Sequence, residues 1–107
     1  MVKKRIKITL ANKTIKEMDL SNLREIPEDM FSGRKDIFKI ELPEGVEVVG
    51  SNAFESCTSL EEIIFPATIK EIGYEAFINC INWKNAILPE RAKVDITSFS
   101  GCTSLGQ

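Results

Sequence analysis

VGSNAFESCTSLEEIIFP, from Val49 to Pro66, is answered by IGYEAFINCINWKNAILP, from Ile72 to Pro89. The two stretches share Gly, Ala-Phe, Cys and a closing Pro at the same places, 23 residues apart. The register extends both ways. Phe31, Phe54, Phe77 and Phe99 are spaced 23, 23 and 22; Pro43, Pro66 and Pro89 are spaced 23 and 23; Cys57, Cys80 and Cys102 are spaced 23 and 22. Upstream, IPEDMFSGRKDIFKIELP (Ile26 to Pro43) fits the same frame. Downstream, VDITSFSGCTSL (Val94 to Leu105) fits it as far as it goes. One residue fewer between Pro89 and Val94 accounts for the 22-residue steps. A weaker unit precedes these, with Ile15, Met18 and Leu20 in the places of Leu60, Ile63 and Phe65.

Each unit carries a segment of form L-x-x-I-x-L-P, such as LEEIIFP (Leu60 to Pro66) or WKNAILP (Trp83 to Pro89). Apolar residues at its fourth and sixth places alternate with an outward place, the period of a short half-buried strand. Proline then closes the strand, because it cannot donate to a ladder. A second apolar pair follows (Val46 with Val49, Ile69 with Ile72), and Gly50 and Gly73 come next, where a tight turn is expected. A 23-residue unit cannot bury its apolar side alone. Stacked units bury Leu on Leu, Phe on Phe and Cys on Cys, with parallel strands about 4.8 Å apart.

These motifs resemble the BspA-type leucine-rich repeat, whose pattern looks like I-G-x-x-A-F-x-x-C-x-x-L-x-x-I-x-L-P. Val49 to Leu60 matches almost throughout; Ile72 to Leu88 matches with Trp83 in place of Leu and Ala86 in place of Ile. The likeness runs over about residues 23–105. The first unit departs from it at Pro27, Met30 and Arg34, and the last carries Ser98 in place of Ala. The fold expected is a mainly β or α/β solenoid. It is a short stack of four to five leucine-rich repeats with a parallel sheet on one face and an N-terminal β-hairpin cap. Residues 1–22 would form the cap and a degenerate first repeat, and residues 23–107 the repeats proper. The resemblance implies protein–protein contact of the kind made by bacterial surface proteins, with no cofactor and no catalytic residue to carry over.

Length and composition agree with one domain. The chain has 107 residues, 43% apolar and 28% charged, with a net charge of −2. The charge is uneven. Residues 1–25 hold seven Lys or Arg against three acids, and the remainder seven against thirteen. Such asymmetry can steer a partner. No run approaches the roughly 20 apolar residues needed to span a bilayer. No signal-peptide core follows the basic start, so a cytoplasmic chain, or a fragment of a cell-surface or secreted one, is expected.

Catalysis and metal binding find little footing. The chain has no histidine and no phosphate-binding or nucleophile-elbow motif. Glu61 and Glu62 are neighbours on a strand, point to opposite faces and cannot work as a pair. The three cysteines share one repeat position and read as a buried ladder of small apolar groups, although adjacent repeats could bring two within disulfide reach. Trp83 reads as a core residue compensated by Ala86, or else as an indole anchor at the surface. The segment Lys3 to Leu10 alternates basic and apolar residues. Folded back at Ala11-Asn12-Lys13 onto Thr14 to Leu20, it makes a hairpin whose lysines protect an open edge. A nucleic-acid patch is the rival reading, disfavoured by the acidic remainder.

A partner would sit on the outward strand places. The third place carries Glu17, Lys39, Glu62 and Asn85; the fifth carries Asp19, Glu41, Ile64 and Ile87; the second carries Lys16, Phe38, Glu61 and Lys84. The candidate contact residues are Phe38, Lys39, Glu41, Glu62, Ile64, Asn85 and Ile87, with Phe38, Ile64 and Ile87 as an apolar centre inside a polar rim. The expected function is a protein-binding module. The alternatives are a structural repeat unit that self-associates through the open edge of the Trp83–Leu88 strand, or a small inhibitor or effector.

Overall fold

Period-2 apolar alternation and the β-branched residues at the strand places produce strands, and no helix forms among the described residues. The computed structural model describes residues 5–19 and 24–106. The strands are β1 (Arg5–Leu10), β2 (Ile15–Asp19), β3 (Glu25–Ile26), β4 (Ile37–Glu41), β5 (Val48–Val49), β6 (Glu62–Ile64), β7 (Glu71–Ile72) and β8 (Lys93–Val94). They make two four-stranded sheets, ordered β2-β1-β4-β6 and β3-β5-β7-β8. The second sheet is parallel throughout, as is the β4–β6 pair, with Ile40 beside Ile63 and Val49 beside Ile72.

Successive repeats are also bonded through the turns, each phenylalanine N–H to the residue just before the next repeat's phenylalanine. Phe31 N–H donates to Ala53 O (2.7 Å), Phe54 N–H to Ala76 O (2.8 Å) and Phe77 N–H to Ser98 O (2.9 Å). The side chains stack accordingly. The Phe31 and Phe54 rings lie 5.2 Å apart at 18°, and Phe54 and Phe77 5.0 Å apart at 5°. The inward residues of both sheets meet in one buried cluster with these rings. Each cysteine Sγ donates to the carbonyl of the preceding repeat's phenylalanine: Cys57 to Phe31 (3.1 Å), Cys80 to Phe54 (3.0 Å) and Cys102 to Phe77 (2.9 Å). All three thiols are free and buried, so the disulfide alternative is not realised. Ser98, standing where its predecessors are Ala53 and Ala76, is fully buried, and its hydroxyl donates to Gly73 O at 2.7 Å.

The turns hold a regularity that the residue types conceal. Asp29, Asn52 and Glu75 have φ of 62°, 58° and 51°; Gly33, Ser56, Asn79 and Gly101 have φ of 73°, 57°, 62° and 76°. Two left-handed positions therefore recur in the first three turns and the second of them again in the fourth, mostly without glycine. Gly50 and Gly73, expected to serve a tight turn, have a different reason to be glycine. A Cβ on Gly50 would stand 2.7 Å from Ile26 O, and one on Gly73 would stand 3.0 Å from Val49 O. Repeat spacing, rather than φ, excludes a side chain there.

Three expectations are corrected. First, β2 does not take a place in the parallel ladder. It pairs antiparallel with β1, which in turn lies antiparallel beside β4, and Ile15 is 56% exposed. The segment with buried alternation, Ile6 and Ile8, wins the place next to the core. The outer edge is therefore β2, which carries Lys16, whereas Lys7 of β1 pairs across to Glu41 (3.8 Å). Lys3, Lys4 and Leu20 lie outside the described residues. Second, the expected strand from Trp83 to Leu88 is absent, and the first sheet ends at β6. Trp83 is fully buried, wedged between Phe77 (4.6 Å) and Phe99 (5.3 Å), and so is no surface anchor. Ala86 and Leu88 still pack against the core cluster, so the segment keeps its inward residues without joining the ladder. The Trp83 Nε1 is buried without a partner among the described residues, a cost of about 1–3 kcal/mol. Third, the α/β alternative gives way to turns.

Candidate functional site: a groove where the first sheet stops

The missing strand leaves a gap. No backbone hydrogen bond joins residues 84–88 to β6 among the described residues. Between them lies a groove of about 390 Å³, lined by Phe38, the segment Glu61 to Phe65, Lys84, Asn85 and Ile87. Its floor is apolar because Ile63 points into the core while Phe65 lies half-buried against the edge of Phe77, 5.9 Å away. Ile64 is 41% exposed and Ile87 78% exposed on its walls.

Ion pairs frame the groove. Lys84 Nζ reaches Glu61 Oε1 at 3.4 Å, and Lys39 Nζ reaches Glu62 Oε1 at 3.9 Å. Both Glu61 and Glu62 border the same groove, each paired to a different lysine. Each carboxylate is committed to a lysine, so the two do not form an acid–base pair. Exposed pairs of this kind contribute at most about 1 kcal/mol each but present alternating charge at the rim.

Of the seven candidate contact residues, Phe38, Glu62, Ile64, Asn85 and Ile87 gather around this groove. Lys39 and Glu41 do not line it; they sit on β4 between their partners Glu62 and Lys7. The column Glu17-Lys39 is also broken, because β1 separates β2 from β4 and places Lys7 opposite Glu17 on one side and Glu41 on the other. Glu61 and Lys84, outward in the repeat pattern but not among the seven, line the groove too, as do Ile63 and Phe65, which that pattern places inward. The departures at Trp83 and Ala86 mark the repeat concerned, but they do not by themselves say that its strand fails.

The repeat stacking, the Phe and Cys ladders and the parallel sheets can now be set beside a comparison with known families. The family model for the BspA type leucine rich repeat region matches residues 7–107 in six copies. The chain belongs to the BspA-type leucine-rich repeat family. The match begins upstream of the 23–105 span read from the motifs and takes in most of β1 and all of β2. No curated protein and no solved structure matches the chain. Leucine-rich repeats are in general protein-interaction modules, and the family is typically non-enzymatic. Among the described residues no helix is long and apolar enough to cross a membrane, and no cluster of His, Cys, Asp or Glu is arranged to hold a metal.

Proposed function

We propose that this BspA-type chain is a protein-binding module that accepts an extended, partly apolar segment of another protein in the groove beside β6. One observation carries the reading: the parallel ladder of the first sheet breaks off at β6, next to exposed Ile64 and Ile87. An unpaired strand edge offers main-chain hydrogen bonds to an incoming strand, and flanking apolar walls supply pockets for alternate side chains. The charges of Glu61, Glu62 and Lys84 at the rim would set register and on-rate more than affinity. In this reading four to five repeats form one solenoid, and the β1–β2 hairpin closes its N-terminal end.

A selection of displayed peptides against the intact 107-residue chain tests it. Enriched peptides should carry apolar residues at alternate positions. Replacing Ile64 and Ile87 by Asp should leave the circular dichroism spectrum unchanged and weaken peptide binding roughly thirty-fold, as expected for central apolar anchors. Equal affinity for the parent and the Ile64→Asp, Ile87→Asp variant would remove this groove from consideration.

A further inference from the structure

The second sheet ends at β8, and its edge differs from the groove in a way that points to a specific occupant. Lys93 N–H donates to Lys70 O (2.8 Å) and Asp95 N–H to Ile72 O (3.0 Å), so both residues turn their peptide groups toward β7. In a parallel ladder alternate residues face opposite neighbours, so Val94 N–H and C=O point outward, and among the described residues no strand pairs with β8 on that side. The residues before it in this ladder, Ile26, Val49 and Ile72, are buried, whereas Val94 is 39% exposed and Ile96 96% exposed.

We propose that two copies of this chain associate through β8 as an antiparallel, two-fold pair centred on Val94. The segment Ala92-Lys93-Val94-Asp95-Ile96 reads apolar, basic, apolar, acidic, apolar and is complementary to itself in that register. Val94 meets Val94 of the second copy through two reciprocal N–H···O=C bonds. Lys93 faces Asp95 of the second copy, and Asp95 faces its Lys93. Ile96 falls opposite the second copy's Ala92. Asp95 Oδ1 accepts from Thr97 N–H (2.9 Å) and Thr97 Oγ1 (2.6 Å), which leaves Oδ2 for a lysine. A two-fold axis normal to the sheet keeps both cores on one side and makes the contact isologous and closed. Head-to-tail stacking fits worse. At the other end β2 gives the first sheet a strand with no counterpart among the described residues of the second, so β8 and the next copy's β3 would be held a strand spacing apart.

Sedimentation equilibrium on the 107-residue chain should show a monomer–dimer equilibrium at concentrations up to about 1 mM, the range of small transient interfaces. Lys93→Asp sets acid against acid twice and should weaken association roughly tenfold or more. Asp95→Lys should do the same with bases. Mixed one to one, the two variants again place opposite charges face to face, and the mixture should dimerise as the parent does. A parent that stays monomeric, one that polymerises beyond a dimer, or an undiminished Lys93→Asp dimer would overturn the proposal. Because Lys93 is an exposed surface residue, that last variant decides the matter even should Asp95→Lys fail to fold. The Ile64→Asp, Ile87→Asp variant leaves β8 untouched, so its dimerisation reads out separately from groove binding.

Discussion

Replacing Gly50 by Ala should destabilise the protein although its backbone is not in the left-handed region. At such a position Gly→Ala normally stabilises by about 0.4–1 kcal/mol, because the unfolded chain loses freedom. Here the added Cβ would lie 2.7 Å from Ile26 O, 2.8 Å from Glu28 N and 3.1 Å from Pro27 C. All three obstacles are backbone, and Gly50 N–H is itself bonded to Ile26 O at 2.8 Å, so the neighbouring repeat cannot swing aside like a flexible side chain. Overpacking of a well-packed interior costs about 1–3 kcal/mol, and a rigid obstacle places this case near the upper end. Less the unfolded-state gain, the net loss is about 2 kcal/mol, a fall in Tm of roughly 10 °C for a domain of this size. Gly73→Ala, whose nearest contacts are 3.0, 3.1 and 3.3 Å, should lose less, about 1 kcal/mol. Gly33→Ala serves as the contrast: it meets nothing within 4 Å but has φ +73°, which costs about 1–2 kcal/mol for a residue with Cβ. Urea titration of the three variants by circular dichroism gives the order directly. If Gly50→Ala proves as stable as the parent, or Gly33→Ala proves the worst of the three, repeat spacing is not what excludes a side chain at Gly50.

Ser56→Gly should stabilise by about 0.5–1 kcal/mol, since it relieves a left-handed φ of 57° at a position occupied by glycine in two of the four repeats; the same urea titration measures it. Cys80 should resist alkylation in the native protein at mildly alkaline pH. Its neighbours Cys102 and Cys57, together with burial, push its thiol far above the usual range, and only the thiolate reacts; labelling faster than global opening would contradict this. The Asp95 carboxyl, held by the Thr97 hydroxyl and N–H, should titrate below the usual carboxylate range in an NMR pH series. With its folded value depressed, its contribution to stability is present above the unfolded pKa and is lost as pH falls through the folded one. A midpoint at or above the usual value would show that the Asp95–Thr97 turn does not form.

The sequence by itself determined the repeat, its length and the inward side chains, because a 23-residue period in Phe, Cys and Pro can be buried only by stacking like on like. The Phe ladder and the cysteine ladder were legible for that reason, as was the outward disposition of Phe38, Ile64 and Ile87. Tertiary structure decided where that regularity ends. Whether Trp83 and Ala86 continue the ladder depends on the volume left by Phe65, Phe77 and Phe99, which no local pattern encodes. Which of two alternating N-terminal segments lies beside β4 depends on their competition for the same buried place, and β1 prevails with Ile6 and Ile8. The glycines mislead for the same reason. Gly50 reads as a turn residue, but what forbids its side chain is the carbonyl of Ile26, 24 positions earlier in the chain and in contact only once the repeats have stacked.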